Sequence, residues 1–268
     1  MLSKLSEQLR HREVRLDLPK IKPTMLARGF TIVELLVTIS IVALLVSIMM
    51  PGLRAARESA YRIQCSSNLR QIGLAMYGYA LQSGERLPAT LFDDDETLAP
   101  AELMALTTGT MSPIGDINPS MQWDGLGLLI SEGSLFLDNP RVLYCPCHHG
   151  NHHFAEMTEV ISKDSPTRIY CNYHFIGDTE QSIPSLTGEH TNSPRHLYAM
   201  SEMAIVVDGM RESSDINHRT GTNILRGDLS VRFWHDNKNL LNNTLISSSV
   251  DQPPSEQSYR ELWADFSK

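Results

Sequence analysis

Three cysteines and four histidines fall between positions 145 and 171, and these residue types bind metals or form disulfides. Zinc prefers thiolate and imidazole ligands, so the segment predicts a metal site that draws on Cys145, Cys147, His148 and Cys171. The spacing C-x-C-H-H-x-x-H-H differs from that of a zinc finger. In an oxidising compartment, a disulfide from Cys171 to Cys145 or Cys147 explains the same residues, and free thiols beside solvated histidines are a third interpretation.

His218 and Asp228 form a second candidate pair, which a predicted β-hairpin brings together. Such a pair can perform acid–base catalysis or bind a metal, whereas a hydrogen bond that pins two strands is the structural alternative. The sequence around the pair contains neither a Ser or Cys nucleophile motif nor a glycine-rich phosphate loop. We therefore expect no enzymatic activity.

The acidic run at residues 93–96 offers the carboxylate oxygens that calcium prefers. The run lacks the alternating ligand spacing and the glycine turn of an EF-hand loop, so a solvated loop is the alternative interpretation. The sequence thus predicts no required cofactor, with zinc at the cysteines and calcium at the acidic run as the two candidates.

Residues 30–50 must be positioned by a membrane, because 16 of these 21 residues are apolar and the single charge is Glu34. As a helix rising 1.5 Å per residue, the segment can cross the roughly 30 Å hydrocarbon core of a bilayer. A carboxylate in that core costs about 2.5 kcal/mol or more, so Glu34 is expected to meet a cation. Residues 1–29 hold seven basic and three acidic groups, which favours a cytoplasmic N terminus.

Apolar residues recur at spacings of three and four beyond the membrane segment, from Leu53 to Tyr79. The helix is therefore expected to kink near Pro51 and to end by Ser83-Gly84. The formal net charge of the whole chain is −8, which argues against a nucleic-acid partner.

These patterns divide the chain into four parts with different compositions. They are a leader at residues 1–29, a long helix at 30–84, a globular head at 85–247 and a polar tail at 248–268. The tail is expected to be loosely ordered, with a short helix at its end.

The junction Arg28-Gly29-Phe30, followed by an apolar helix with Glu34 as its fifth residue, resembles the class III signal of type IV prepilins and type II secretion pseudopilins. The resemblance implies that a prepilin peptidase cleaves after Gly29 and methylates the new amine of Phe30. It also implies other pilin or pseudopilin subunits and assembly platform proteins as partners. The protein would lie in the inner membrane, with its head periplasmic or otherwise extracytoplasmic. In a filament, Glu34 would meet the Phe30 amine of a neighbouring subunit.

Three further segments resemble a large bacterial family, abundant in planctomycetes, that combines a prepilin-type N terminus with a C-terminal H-x9-DG motif. They are residues 65–75, the pair Cys145-Pro146, and the hairpin that contains His218 and Asp228. Leu229 stands where the motif has glycine. Gly227, two residues earlier, is therefore expected to supply the positive φ of the turn.

Together the patterns predict an α+β, pilin-like protein in which a long N-terminal helix packs on a small antiparallel sheet. The expected function is structural, as a subunit that polymerises into a type IV pilus or a type II secretion-like filament. The alternative is a membrane-tethered binding module, or a metal-binding head, that uses the pilin-type signal only for delivery. Its candidate site residues are Cys145, His148, Asp208, His218 and Asp228.

Overall fold

The computed structural model divides the chain into two compact units, Met1–Pro51 and Gly52–Lys268. The residues described are 29–90, 103–107, 123–130, 139–155, 157, 168–177, 183–184, 190–191, 196–211, 213–218, 220–245 and 256–268. The leader before Gly29 and the acidic run at 93–96, with its calcium hypothesis, lie outside the described residues.

The predicted N-terminal helix is confirmed as α1, Ile32–Gln82, with Pro51 inside it. Its C terminus has a Schellman-type ending, in which the Glu85 amide donates to the Ala80 carbonyl at 2.7 Å. Gly84 follows with φ +68°, a conformation that glycine adopts without a Cβ penalty. The end of the helix is therefore encoded locally, at the position that the sequence predicts.

In the first unit, residues 32–51 of α1 are exposed throughout. Among the described residues, α1 is the one helix long and apolar enough to cross a membrane, with a mean hydropathy of 2.7 over its most apolar window. A helix that is apolar on all sides needs lipid or other helices around it.

In the second unit, α1 buries one face at spacings of three and four. The buried residues on this face are Cys65, Asn68, Leu69, Ile72, Gly73, Ala75, Met76 and Ala80. A Cβ at Gly73 would lie 3.0 Å from Leu225 Cδ1, so the glycine permits a close approach between the helix and the sheet. The α+β fold class, with the helix packed on the sheet, is confirmed.

The sheet contains four antiparallel strands in the order β1-β4-β5-β6. These strands are β1 Tyr173–Phe175, β4 Ala204–Asp208, β5 Gly221–Arg226 and β6 Val231–His235, while β2 Ile183–Pro184 and β3 His190–Thr191 form a separate pair. Every residue of β1 and β4 is buried, including the polar His174 and Asp208. The register places Tyr173 opposite Asp208, next to α1.

Two short helices follow the sheet, α2 Leu240–Leu245 and α3 Glu256–Phe266. The sequence predicts a polar tail around α3, but the structure packs α3 into the core of the head. Its buried side chains are Tyr259, Leu262, Trp263 and Phe266. Trp263 Nε1 also donates to the Ala204 carbonyl of β4 at 2.9 Å.

The β5–β6 turn corrects the prediction about Gly227. Leu229 itself has φ +66°, and its amide donates to the Arg226 carbonyl at 2.9 Å. This is the left-handed position of a three-residue hairpin loop, where glycine is favoured. Gly227 is needed for a different reason, since a Cβ there would lie 2.2 Å from the Met200 carbonyl oxygen.

Candidate functional site

Three thiols and an imidazole meet in the interior of the head. One donor atom from each of Cys65, Cys145 and His218 lies within 4.8 Å of the other two. Cys147 Sγ lies 3.2 Å from Cys145 Sγ and 3.6 Å from His218 Nδ1. We call these four residues the Cys/His cluster, and all four are buried.

The cluster is assembled from three distant parts of the chain. Cys65 comes from the buried face of α1, and His218 comes from the segment that leads into β5. Cys145 and Cys147 follow a 3-10 turn at Pro140–Leu143, where Asn139 caps the Arg141 amide. The backbone after this turn is fixed by Asn172, whose Oδ1 accepts from the Cys145 amide at 3.1 Å.

Two carboxylates approach the two nitrogens of His218. Nδ1 donates to Glu58 Oε1 at 3.1 Å, and Nε2 lies 3.6 Å from Asp208 Oδ2. The same oxygen of Asp208 accepts from the amide of Asn223 at 2.7 Å and from its side chain at 3.2 Å. Asp208 Oδ1 has no hydrogen-bond partner among the described residues. The imidazole is thus held between the sulfurs and a buried carboxylate.

The electrostatics of the cluster concentrate negative charge on one sulfur. Hydrogen bonds from the Cys145 and Cys65 thiols lower the pKa of Cys147, whereas burial raises the pKa values of Cys65 and Cys145 themselves. Burial lowers the pKa of His218, but the hydrogen bond with Cys147 and the charge of Asp208 outweigh it and raise the value to about 9. Without any further ligand, a thiolate and an imidazolium therefore face each other.

Burial argues against a catalytic role for this pair. A thiol, an imidazole and a carboxylate in sequence are the groups of a nucleophilic triad. However, Cys147 is 3% exposed, His218 is 1% exposed and Asp208 is 2% exposed. In this conformation the three side chains are closed off from solvent.

At the start of α1, Thr31 and Glu34 form a capping box. Glu34 Oε2 accepts from the Thr31 amide at 2.9 Å and from Thr31 Oγ1 at 2.8 Å, and the Glu34 amide donates back to Thr31 Oγ1 at 3.2 Å. Phe30 is exposed, and a Cβ at Gly29 would have no neighbour within 4 Å. No residue of the described part of the chain crowds the predicted cleavage junction.

A family model matches the second half of α1 and the start of the head. Residues 54–130 match a family described as "Protein of unknown function (DUF1559)". The DUF1559 match includes Cys65 but ends before Cys145 and His218. No curated protein and no solved structure matches the chain.

The structure does not place Cys171 in the Cys/His cluster. All four cysteines are free, and the expected disulfide from Cys171 to Cys145 or Cys147 is not formed. The Cys171 thiol donates instead to the carbonyls of Met104 and Tyr173, at 3.3 and 3.2 Å. The cysteine that joins Cys145 in the cluster is Cys65.

His148 also lies beside the cluster and not in it. Its Nδ1 donates to Asn217 Oδ1 at 2.9 Å, and its Nε2 lies 3.7 Å from Asp215 Oδ1. Burial lowers the pKa of His148. Its hydrogen bond to Asn217 fixes the imidazole in the loop that carries Cys145 and Cys147.

The predicted meeting of His218 and Asp228 does not occur. The two residues stand at opposite ends of β5, whose six residues span about 20 Å at 3.3 Å per residue. Asp228 Oδ1 caps the exposed turn by accepting from the Ser230 amide at 2.8 Å. The carboxylates beside His218 are those of Glu58 and of Asp208, and the sequence places Asp208 at the end of a buried strand.

Cys65 is the residue of the cluster that sequence reasoning missed. In a helical pattern it counts as one more apolar position, and it lies far from the other cysteines along the chain. Its position as the first residue of the family-like segment at 65–75 was the available signal.

Proposed function

We propose that this protein is a subunit of a type IV pilus-like or pseudopilus filament. It would be anchored by residues 30–50 in the inner membrane and processed between Gly29 and Phe30. The observation that carries the proposal is the position of Glu34, a single carboxylate on an exposed apolar helix. The exposure of Gly29 and Phe30, just ahead of Glu34 in the chain, adds support.

The exposed half of α1 fits a helix that changes its surroundings from lipid to neighbouring helices. Its apolar side chains cover all faces, so lipid satisfies them before assembly and other subunits satisfy them afterwards. The second half of the same helix is committed to the head. This division favours a packed bundle of anchors with heads outside it.

Glu34 caps the start of α1 through one carboxylate oxygen, and its other oxygen is available for a second interaction. Both hydrogen bonds from Thr31 go to Oε2. Oε1 therefore remains for a cation, and cleavage after Gly29 creates an amine at Phe30. In a medium of low dielectric, this amine on a neighbouring subunit offsets the cost of the carboxylate.

The competing function is a tethered binding module delivered by a pilin-type signal. The buried Cys/His cluster is compatible with both functions, because a bound metal would stabilise a head in either setting. The two differ in whether α1 must contact other copies.

The decisive variant is Glu34→Gln, because glutamine preserves a capping box but carries no charge. We expect the variant to insert, to be cleaved and to fold its head, yet to enter filaments at less than about a tenth of the wild-type level, a loss of 1.4 kcal/mol or more. Sheared filaments and crosslinked neighbours are quantified by immunoblotting. Mass spectrometry of the wild-type N terminus checks for methylated Phe30.

Two controls separate charge from helix structure and from polarity. Thr31→Ala weakens the cap but retains the Glu34 charge, and Ser47→Leu removes a hydroxyl that bonds only within the helix, to the Leu44 carbonyl. Both variants should assemble. Wild-type filament levels from Glu34→Gln would contradict the filament-subunit function and favour the tethered module.

A further inference from the structure

We propose that Cys65, Cys145, Cys147 and His218 form a tetrahedral zinc site inside the head. This inference goes beyond the filament function and does not depend on it. The ligand set differs from the one that the sequence predicts, since Cys65 and His218 replace Cys171 and His148.

The separations of the donor atoms fit a tetrahedral zinc ion after small side-chain movements. A Zn–S bond of about 2.3 Å sets the edge between two sulfurs at about 3.8 Å and the edge between sulfur and nitrogen at about 3.6 Å. The observed separations are 3.2 Å for Cys145 to Cys147 and 3.6 Å for Cys147 to His218 Nδ1. The donor atoms of Cys65, Cys145 and His218 lie within 4.8 Å of one another, while Cys147 lies outside this group and would have to move towards Cys65 to share the ion.

The chemistry of the donors selects the metal. Three thiolates and one imidazole are soft and borderline ligands, which favour zinc over calcium or magnesium. Four protein ligands leave no open position for water or substrate, so the site would be structural. This agrees with the burial of every member of the cluster.

The groups around His218 orient it as a metal ligand. With the Nε2 proton directed at Asp208 Oδ2, Nδ1 is free to bind the metal on the side of the sulfurs. A carboxylate behind a metal-bound histidine is a recurrent arrangement that fixes the tautomer and the ring. Glu58 also faces Nδ1, and its side chain is 34% exposed, so it can turn towards solvent when the metal binds.

The Cys65 thiol has a hydrogen-bond partner on β1. The Tyr173 hydroxyl lies 3.5 Å from Cys65 Sγ, and it also accepts from the Asn68 side chain at 3.3 Å. A hydroxyl that donates to a metal-bound thiolate stabilises its charge. These contacts tie the Cys65 side chain to β1.

A cleft provides a route for the metal. The cleft has a volume of about 610 Å³, and Asn68, Cys145 and His148 are among the residues that line it. The cleft therefore reaches the Cys145 side of the cluster. An entry path is one of the features that a metal site requires.

A disulfide between Cys145 and Cys147 is the competing chemistry. The 3.2 Å separation of their sulfurs is longer than a bond of about 2.05 Å, so the loop would have to rearrange. Such a bond would also leave Cys65 and His218 buried together without a shared ligand. Zinc uses all four residues.

The experiment uses the full-length chain, purified in detergent after expression with zinc in the medium. We expect about one zinc ion per chain by elemental mass spectrometry. Replacement by Co²⁺ should give a thiolate-to-cobalt charge-transfer band and the intense visible bands of tetrahedral cobalt. Cys147→Ser should weaken zinc binding by more than about 100-fold, beyond the loss typical of outer groups. The matched control, Cys171→Ser, removes a buried thiol outside the cluster and should retain the zinc.

Measurements on the wild type decide the matter even where a variant does not fold. Chelation of the native protein should open Cys65, Cys145 and Cys147 to alkylation while Cys171 stays protected by the fold. Three results would each overturn the proposal. They are wild-type protein without stoichiometric zinc or the tetrahedral cobalt spectrum, a Cys145–Cys147 disulfide found by peptide mapping of unreduced protein, and equal loss of zinc in Cys171→Ser and Cys147→Ser. None of these results bears on filament assembly, which is scored separately with Glu34→Gln.

Discussion

Asp208 connects the sheet to the Cys/His cluster through a single oxygen. Its Oδ2 accepts from Asn223 on β5 and faces His218 Nε2. Burial raises the pKa of Asp208, and the nearby charge of His218 opposes that rise. At the proposed zinc site, Asp208 would be a positioning residue that acts on the metal only through the imidazole.

Replacing this carboxylate tests that role. Asp208→Asn should weaken zinc affinity by about 10- to 100-fold, because the amide holds the imidazole tautomer less firmly. Competition with a chromogenic chelator measures the affinity. Unfolding of the metal-free variant, recorded alongside, separates this effect from a general loss of stability. Asp228→Asn, in the exposed turn, is the control, and equal affinities for the two variants would refute the role of Asp208.

Residue types and motifs predicted part of the Cys/His cluster, but they did not predict which side chains point into it. Cys145, Cys147 and His218 were recognisable as candidates. Cys145–His148 is a turn in which the His148 amide donates to the Cys145 carbonyl at 3.1 Å, so the direction of each side chain there depends on how the loop packs. Cys65 could not be assigned, since its neighbours in space are about 80 and 150 residues distant in sequence.

Among the elements, α1 was the most predictable and the β5–β6 turn the least. The long apolar periodicity and the glycine after Ser83 encode the helix and its end locally. In the turn, the sequence predicts that Gly227 has a positive φ. The structure shows that Gly227 is required by its close approach to the Met200 carbonyl, and Leu229 takes the left-handed position. That distinction depends on a contact between distant segments.

The turn gives an inverted order of stability for two substitutions. At φ +66°, Leu229→Gly should be more stable than Leu229→Ala by about 1 kcal/mol, because a Cβ is disfavoured in the left-handed region. Chemical denaturation of the head compares the two variants. At the exposed helical position Leu74, the same pair should show the usual order, with alanine more stable by about 1 kcal/mol. Alanine equal to or above glycine at 229 would contradict the turn geometry.

At the scale of the whole head, α3 closes the core from the far end of the chain. Trp263 and Phe266 are fully buried, and the Arg226 and Arg232 side chains donate to the carbonyls of Ser267 and Phe266. The polar composition around this short helix concealed its packing from sequence analysis. Its apolar side chains gain their burial from the strands and from α2.

Trp263→Ala tests how far stability depends on α3. The loss should be about 3–5 kcal/mol, from the cavity together with the lost hydrogen bond to the Ala204 carbonyl. Trp263→Phe retains most of the ring packing and should lose less. Thermal and denaturant unfolding measure both, with the exposed Lys268→Ala as a control that stays within about 0.5 kcal/mol. A Trp263→Ala head as stable as wild type would show that α3 is dispensable.

Because Trp263 packs against β4, the core of the head is completed only after α3 has been synthesised. The strands of the sheet leave the ribosome before α3 does, and at 5–20 residues per second the interval is several seconds. On the proposed route across the membrane, the apolar surface beneath Trp263 stays uncovered until α3 has been translocated. We therefore expect chains that stall before α3 to be cleaved by proteases outside the membrane more readily than chains that contain it.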